Sequence, residues 1–124
     1  MVRFSDPGAA LGRTLGVRRG EVWWAELPAP WKRRPVVLIA RDEAYQVLTW
    51  IAVAPVTTRI RNISSEVVLN PDEDGVPRVC AANLDGIQSI RREWLTGYVA
   101  RLSASRMREI DEAAAFALGL GSRV

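Results

Sequence analysis

Three short stretches of this chain concentrate side chains that can handle a phosphate. Trp31-Lys32-Arg33-Arg34-Pro35 sets an indole beside three consecutive cations. Single-stranded nucleic acid is held by such a pairing, because the charge grips the backbone while the ring stacks on an unpaired base. An ordinary solvated basic loop has the same composition, so the segment alone leaves both readings open. Pro55-Val56-Thr57-Thr58-Arg59-Ile60-Arg61 carries two hydroxyls and two guanidiniums just after a proline. Hydroxyls leaving a strand end can be aimed at phosphate oxygens, although threonine pairs also occur in strands for β-propensity alone. Asn83-Leu84-Asp85-Gly86-Ile87-Gln88-Ser89 places one carboxylate beside a glycine, as either a tight turn or a site with a base.

What the chain lacks narrows the chemistry further. It contains no histidine, which excludes a two-imidazole ribonuclease and a Ser-His-Asp triad. Cys80 is the single cysteine, so no intramolecular disulfide can form, and a reducing compartment is the simplest reading. A zinc site would need an all-carboxylate shell, and no metal or other cofactor is expected. Asp72-Glu73-Asp74-Gly75 has the start of a calcium loop, but Asn83 stands where that loop needs its closing glutamate, so a turn is expected. Lys32 lacks the glycine-rich approach of a phosphate-binding P-loop.

The 124 residues suit one domain, with 48% apolar and 25% charged residues in the ordinary range for a globular protein. Net charge is +3, and sixteen of the seventeen basic residues are arginines. Arginine presents a planar fork of donors to phosphate, though a genome-wide bias towards arginine gives the same ratio. The apolar runs 35–40 and 50–56 fall short of the roughly 18 to 20 residues that cross a bilayer. Arg3, Asp6, Pro7 and Gly8 break up any secretory signal, which points to the cytoplasm.

The elements that must position these residues are mostly short strands. Residues 1–17 predict a flexible extension, with the domain spanning 18–121. From Glu21 to Leu27, Val22 and Trp24 share one face of a strand while Trp23 and Ala25 share the other. Pro35–Ala40 and Trp50–Val56 are apolar throughout and β-branched, as strands covered on both faces are, and Pro55 implies an edge or bulge. A helical turn is expected over 42–45. Strands follow at 66–69, 78–82, 87–90 and 98–102, the first two joined by the turn residues 70–75 and the last two separated by a polar stretch ended by Gly97. After an N-cap at Ser103, Met107, Ile110, Ala114, Ala117 and Leu118 recur at helical spacing until Gly119. This order predicts a mainly β (α+β) fold, an SH3-like antiparallel barrel with a C-terminal helix. Two strands apolar on both faces need two covers, one being the helix and the other expected from a homodimer interface.

Taken in order, the segments Arg19-Gly20-Glu21-Val22-Trp23, Arg34-Pro35-Val36-Val37-Leu38, Val53-Ala54-Pro55-Val56-Thr57, Ser65-Glu66-Val67-Val68-Leu69, Asp85 to Ile90 and Leu118-Gly119-Leu120 resemble the MazF/PemK family of toxins. The resemblance runs from Arg19 to Leu120. It implies a MazF/PemK/CcdB-like toxin fold, usually dimeric, that cuts single-stranded RNA at short sequences and is held inactive by a cognate acidic antitoxin. By the same resemblance Arg34 matches the catalytic arginine, Thr57 the catalytic threonine, and Asp85 an aspartate proposed as base in some members. Trp31, Lys32, Arg33, Thr58, Arg59, Gln88 and Ser89 are the substrate-binding candidates. Metal-free cleavage runs by attack of the 2'-hydroxyl on the adjacent phosphate, leaving a 2',3'-cyclic phosphate and a 5'-hydroxyl. Arg34 suits charge stabilisation rather than proton donation, since a guanidinium does not give up its proton in a protein. The chain departs from the family in a shorter loop before Arg34, in Gly86 for the usual glutamine and in Gln88 for a common basic residue. A non-catalytic relative on the same fold, binding nucleic acid or poisoning DNA gyrase, is the alternative. The gyrase poisons use a C-terminal aromatic tip, whereas this chain ends Gly121-Ser122-Arg123-Val124.

Overall fold

The computed structural model describes residues 17–121, and its organising element is strand β3, Trp50–Thr57. Before it come β1 (Glu21–Glu26), β2 (Arg33–Leu38) and a single helical turn, α1 (Ala44–Val47). After it come β4 (Glu66–Leu69), the turn α2 (Pro71–Asp74), β5 (Cys80–Asn83), β6 (Gln88–Arg91), β7 (Leu95–Arg101) and the 15-residue helix α3 (Ala104–Leu118). All strand pairs are antiparallel, in the order β4-β5-β3-β2-β1-β7, and β6 joins β3 as well.

One edge of β3 is therefore shared. Its first half, Trp50 to Val53, pairs with β6, and its last two residues, Val56 and Thr57, pair with β5. Pro55 sits between the two ladders, where a residue without an N–H leaves no donor unpaired. The break inferred from Pro55 is thus a change of partner along one edge.

The sheet curls into a half-barrel around Trp23, Ala25, Val36, Leu38, Ile51, Val53, Ile90 and Leu95. Its other face carries Val22, Val37, Ala54 and Val56, which pack with Val67, Leu69, Ala82 and Leu84 against Met107, Ile110 and Ala113 of α3. The period-two alternation of β1 divides Trp23 and Val22 between these two cores, as its mixed sidedness predicted. Leu38, Ile51, Leu69, Ile90 and Ile110 are all fully buried, each worth about 1.5–3 kcal/mol of transfer free energy. Curling supplies the second cover for β2 and β3 within the chain, so the argument from uncovered strands to a second copy does not hold.

Helix α3 begins where the Ser103 hydroxyl accepts from the Arg106 amide at 3.0 Å and ends at Gly119, whose φ of 72° glycine adopts without strain. Arg106 clamps it to α2. Its guanidinium donates to both carboxylate oxygens of Asp74 at 3.0 Å, to Glu73 at 2.9 Å and to Glu109 at 3.0 Å. The buried Asp74 carboxylate raises the Arg106 pKa further above its ordinary value. The acidic run at 72–74 thus forms a capped turn that holds a helix.

Strand ends differ from the sequence expectation by at most three residues, 66–69 agreeing at both ends, and the helical turn falls at 44–47 rather than 42–45. Gly97 does not end a polar stretch: it lies inside β7 opposite Trp24, and a Cβ added there would meet the indole at an ordinary 3.8 Å, so the position does not require glycine. Residues 1–16 of the expected extension lie outside the described residues, while Val17 packs against the half-barrel core. No helix among the described residues is long and apolar enough to cross a membrane.

Candidate active site

Arg34 and Thr57 are 23 residues apart in sequence and neighbours in the sheet. Strands β2 and β3 pair Leu38 with Val53 and Val36 with Pro55. Continuing that register by two residues brings Arg34 level with Thr57 at the neighbouring strand end. Arg34 is partly buried, and its Nε is the one buried side-chain polar atom among the described residues with no hydrogen-bond partner. An orphaned buried N–H costs about 1–3 kcal/mol and asks for an acceptor. The Nε–H and a terminal N–H of a guanidinium form a side-on fork that spans two phosphate oxygens.

The Thr57 hydroxyl accepts from the Arg59 amide at 3.0 Å, closing a small turn as β3 ends. One of its two acceptor lone pairs is thereby used, and its O–H remains available to donate. Thr57, at the very end of its strand, and Thr58 also line a cleft of about 360 Å³ that opens on the side of the sheet carrying Val22 and Val56, with Trp24, Pro35 and Arg78.

Asp85 stands in the one-turn 3₁₀ helix Leu84–Gly86 that carries the chain from β5 to β6. The turn sits on the Pro55 handover. A Cβ added to Gly86 would lie 2.9 Å from Pro55 Cγ and 3.1 Å from Asn83 Nδ2. Only glycine permits that approach, which explains locally why no glutamine stands at this position. Asp85 is exposed, yet it is tied: the Ser65 hydroxyl donates to Oδ2 at 2.5 Å, and the Asp85 amide donates to the Asn83 side chain at 3.0 Å.

The other sequence candidates divide. Gln88 pairs with Val53 and shares its face, with the half-barrel core residue Ile90 two positions on, which puts it on the Arg34 side of the sheet. Ser89 alternates to the opposite face and is exposed. Arg33 also alternates away from Arg34. It is bridged to Glu26 at 3.0 Å and lies over the Trp24 ring at 4.0 Å, so its charge is already engaged on the outer face. Trp31 and Lys32 occupy the exposed β1–β2 hairpin loop, with Trp31 50% exposed as a free stacking surface. Thr58 is exposed on the cleft and Arg59 is exposed in the turn after Thr57.

Sequence reasoning missed Ser65 as a partner of Asp85. It also missed Glu66, whose carboxylate is fully buried and takes the Arg61 amide and Nε, each at 2.9 Å. Arg61 is consequently held by the protein rather than left free for a ligand. A glutamate opening an apolar strand, five residues after an arginine, was the available signal.

The family model of PemK-like, MazF-like toxins of type II toxin-antitoxin systems matches residues 18–118. The chain is 49% identical over 92 residues to the probable endoribonuclease MazF5 of Mycobacterium tuberculosis, covering 74% of this chain and 84% of that relative. It is 33% identical over 117 residues to endoribonuclease MazF9 of the same organism, covering 86% and 99% respectively. Among solved structures, the Mycobacterium tuberculosis toxin MazF-mt6 superposes with a TM-score of 0.74 at 28% identity, covering 82% of this chain and 99% of that one. A MazE-MazF structure from Deinococcus radiodurans superposes with a TM-score of 0.69 at 25% identity, covering 85% and 98%. With the family model, the sequence identities and the fold in agreement, this chain belongs to the PemK-like, MazF-like toxins of type II toxin-antitoxin systems.

Proposed function

We propose that this toxin is a sequence-specific, metal-independent endoribonuclease that cuts single-stranded RNA in the cytoplasm. The observation that carries the reading is the unpartnered buried Arg34 Nε, on a strand whose register, continued, runs to Thr57. A donor left without an acceptor in the resting protein is complementary to charge that arrives with the substrate and grows in the transition state. Arg34 grips the two non-bridging oxygens of the scissile phosphate and the Thr57 hydroxyl donates to one of them. Asp85 takes the proton of the 2'-hydroxyl as its oxygen bonds to phosphorus. The bond to the 5'-oxygen then breaks, that oxygen takes a proton from solvent, and the products are a 2',3'-cyclic phosphate and a 5'-hydroxyl. Trp31 stacks on a base near the cut, and Lys32, Thr58, Arg59, Gln88 and Ser89 line the path of the strand. Arg33, facing outward with Glu26 and Trp24, contributes there through charge alone.

The partner that restrains the enzyme is a cognate antitoxin whose acidic segment lies over Arg34 and the Thr57 turn, folding as it binds. The homodimer expected for the family rests on a different support than uncovered strands. Phe116, Leu118 and Leu120 are 64%, 57% and 61% exposed around the end of α3, apolar side chains left for a second copy to cover.

The test is incubation of the purified toxin with a long mixed-sequence RNA in the presence of a chelator, followed by mapping of the new 5' ends. Cuts at a recurring short sequence, bearing 5'-hydroxyls and absent with Arg34→Ala, support the reading. RNA that binds in a salt-dependent way but stays whole sinks it in favour of the non-catalytic alternative.

A further inference from the structure

We propose that Ser65 is a positioning residue for this reaction, fixing the Asp85 carboxylate that receives the 2'-hydroxyl proton; the inference rests on the ribonuclease reading above. An exposed aspartate on a surface turn ordinarily samples several rotamers, and a general base that wanders by an ångström loses most of its effect. Asp85 is exposed but not free. Ser65 is 2% exposed, and it lies 20 residues before Asp85, at the threshold of β4. Its hydroxyl donates to Asp85 Oδ2 at 2.5 Å, a length typical of a hydroxyl on an ionised carboxylate.

The same residue ties the turn a second time, since its carbonyl accepts the Leu84 amide at 2.8 Å. Ser65 is itself immobile. The next residue, Glu66, has its amide on the Ile63 carbonyl at 2.9 Å and its buried carboxylate on Arg61. Oδ2 is thus engaged by a buried hydroxyl, which leaves Oδ1 to accept the proton. The Asn83 side chain holds the Asp85 amide at 3.0 Å, so backbone and side chain are both fixed. The carbonyl tie alone would staple the turn; the hydroxyl tie acts only on the carboxylate.

A rate cycle separates positioning from simple stapling. Cleavage of a short RNA containing the mapped site is measured for the wild-type toxin, Ser65→Ala, Asp85→Asn and the double variant, with thermal midpoints recorded in parallel. The proposal expects Ser65→Ala to lower kcat about tenfold with KM little changed. It expects no further loss when Ser65→Ala is added to Asp85→Asn, because the hydroxyl then has no base to position. Ser65→Cys keeps the volume and replaces a strong donor by a weak one, so it loses a similar factor even if the alanine variant folds poorly. Full activity in Ser65→Ala or Ser65→Cys overturns the proposal, as does the same loss in both backgrounds. Wild-type activity in Asp85→Asn also overturns it, while leaving the ribonuclease reading intact. A wild-type toxin that cuts no RNA overturns the reading itself, and the proposal with it.

Discussion

Two arginines in this protein sit in opposite circumstances. Arg106 is saturated, its guanidinium donating to Asp74, Glu73 and Glu109. Arg34 has a buried Nε that meets nothing, and no carboxylate pairs with it among the described residues. A cation that holds a fold together is surrounded by acceptors, and neutralising it costs the protein no function. A cation proposed to act on a phosphate has to be kept free of carboxylates, and the unmet Arg34 Nε meets that condition.

The sharpest way to break that comparison is to remove each arginine in turn. Arg34→Ala is expected to lower the cleavage rate by about 10²–10³-fold or more, as loss of a charge-stabilising donor does, with a thermal midpoint unchanged or slightly raised. Arg106→Ala is expected to do the reverse. Asp74, with a side chain 1% exposed, would keep a buried charge without its partner, at a cost of about 3 kcal/mol or more. Its unfolding midpoint should fall by roughly 10–20 °C, while cleavage measured well below that midpoint stays within about twofold of wild type. A loss of rate in cold Arg106→Ala, or of stability in Arg34→Ala, would show that the division between the two is false.

Thr57→Val tests the neighbour. It keeps the shape of the strand end and removes the hydroxyl, so the rate should drop about tenfold while circular dichroism is preserved. The smallest expected effect concerns pH. Burial pushes the Cys80 thiol above its usual range and the Tyr45 phenol further still. Both groups are held neutral in the folded state, so the stability they contribute is intact below the unfolded values of 9.0 and 10.0. It declines as pH rises past them, because the unfolded chain releases those protons first. Urea midpoints should therefore hold from pH 7 to about 8.5 and fall above pH 9, and Cys80 should resist iodoacetamide until the protein unfolds.

Much of this arrangement was legible beforehand. Alternation in Glu21–Leu27 assigned Trp23 and Val22 to different cores, and Pro55 marked a real discontinuity in β3, because both signals are local and steric. The Ser103 cap and Gly119 stop bounded α3 for the same reason. What was not legible depends on contacts between distant segments. The Ser65–Asp85 bond joins residues 20 apart, and nothing in either neighbourhood announces the other. Arg33 and Arg34 are adjacent and identical in type, and only the strand's register decides that one lies over Trp24 and the other on the opposite face. Gly86 read as a departure from the family pattern until the Pro55 ring beneath it gave the steric reason.

The two cores described above are completed within a single chain, one by the curl of the sheet and the other by α3. A covering partner then has nothing to contribute to folding and only a surface to occlude. When such a partner dissociates, both cores of the described residues are already complete before the first cut. The delay between losing the restraint and cleaving RNA is therefore set by an off-rate, and a jump-dilution of the complex should show activity rising without a folding lag.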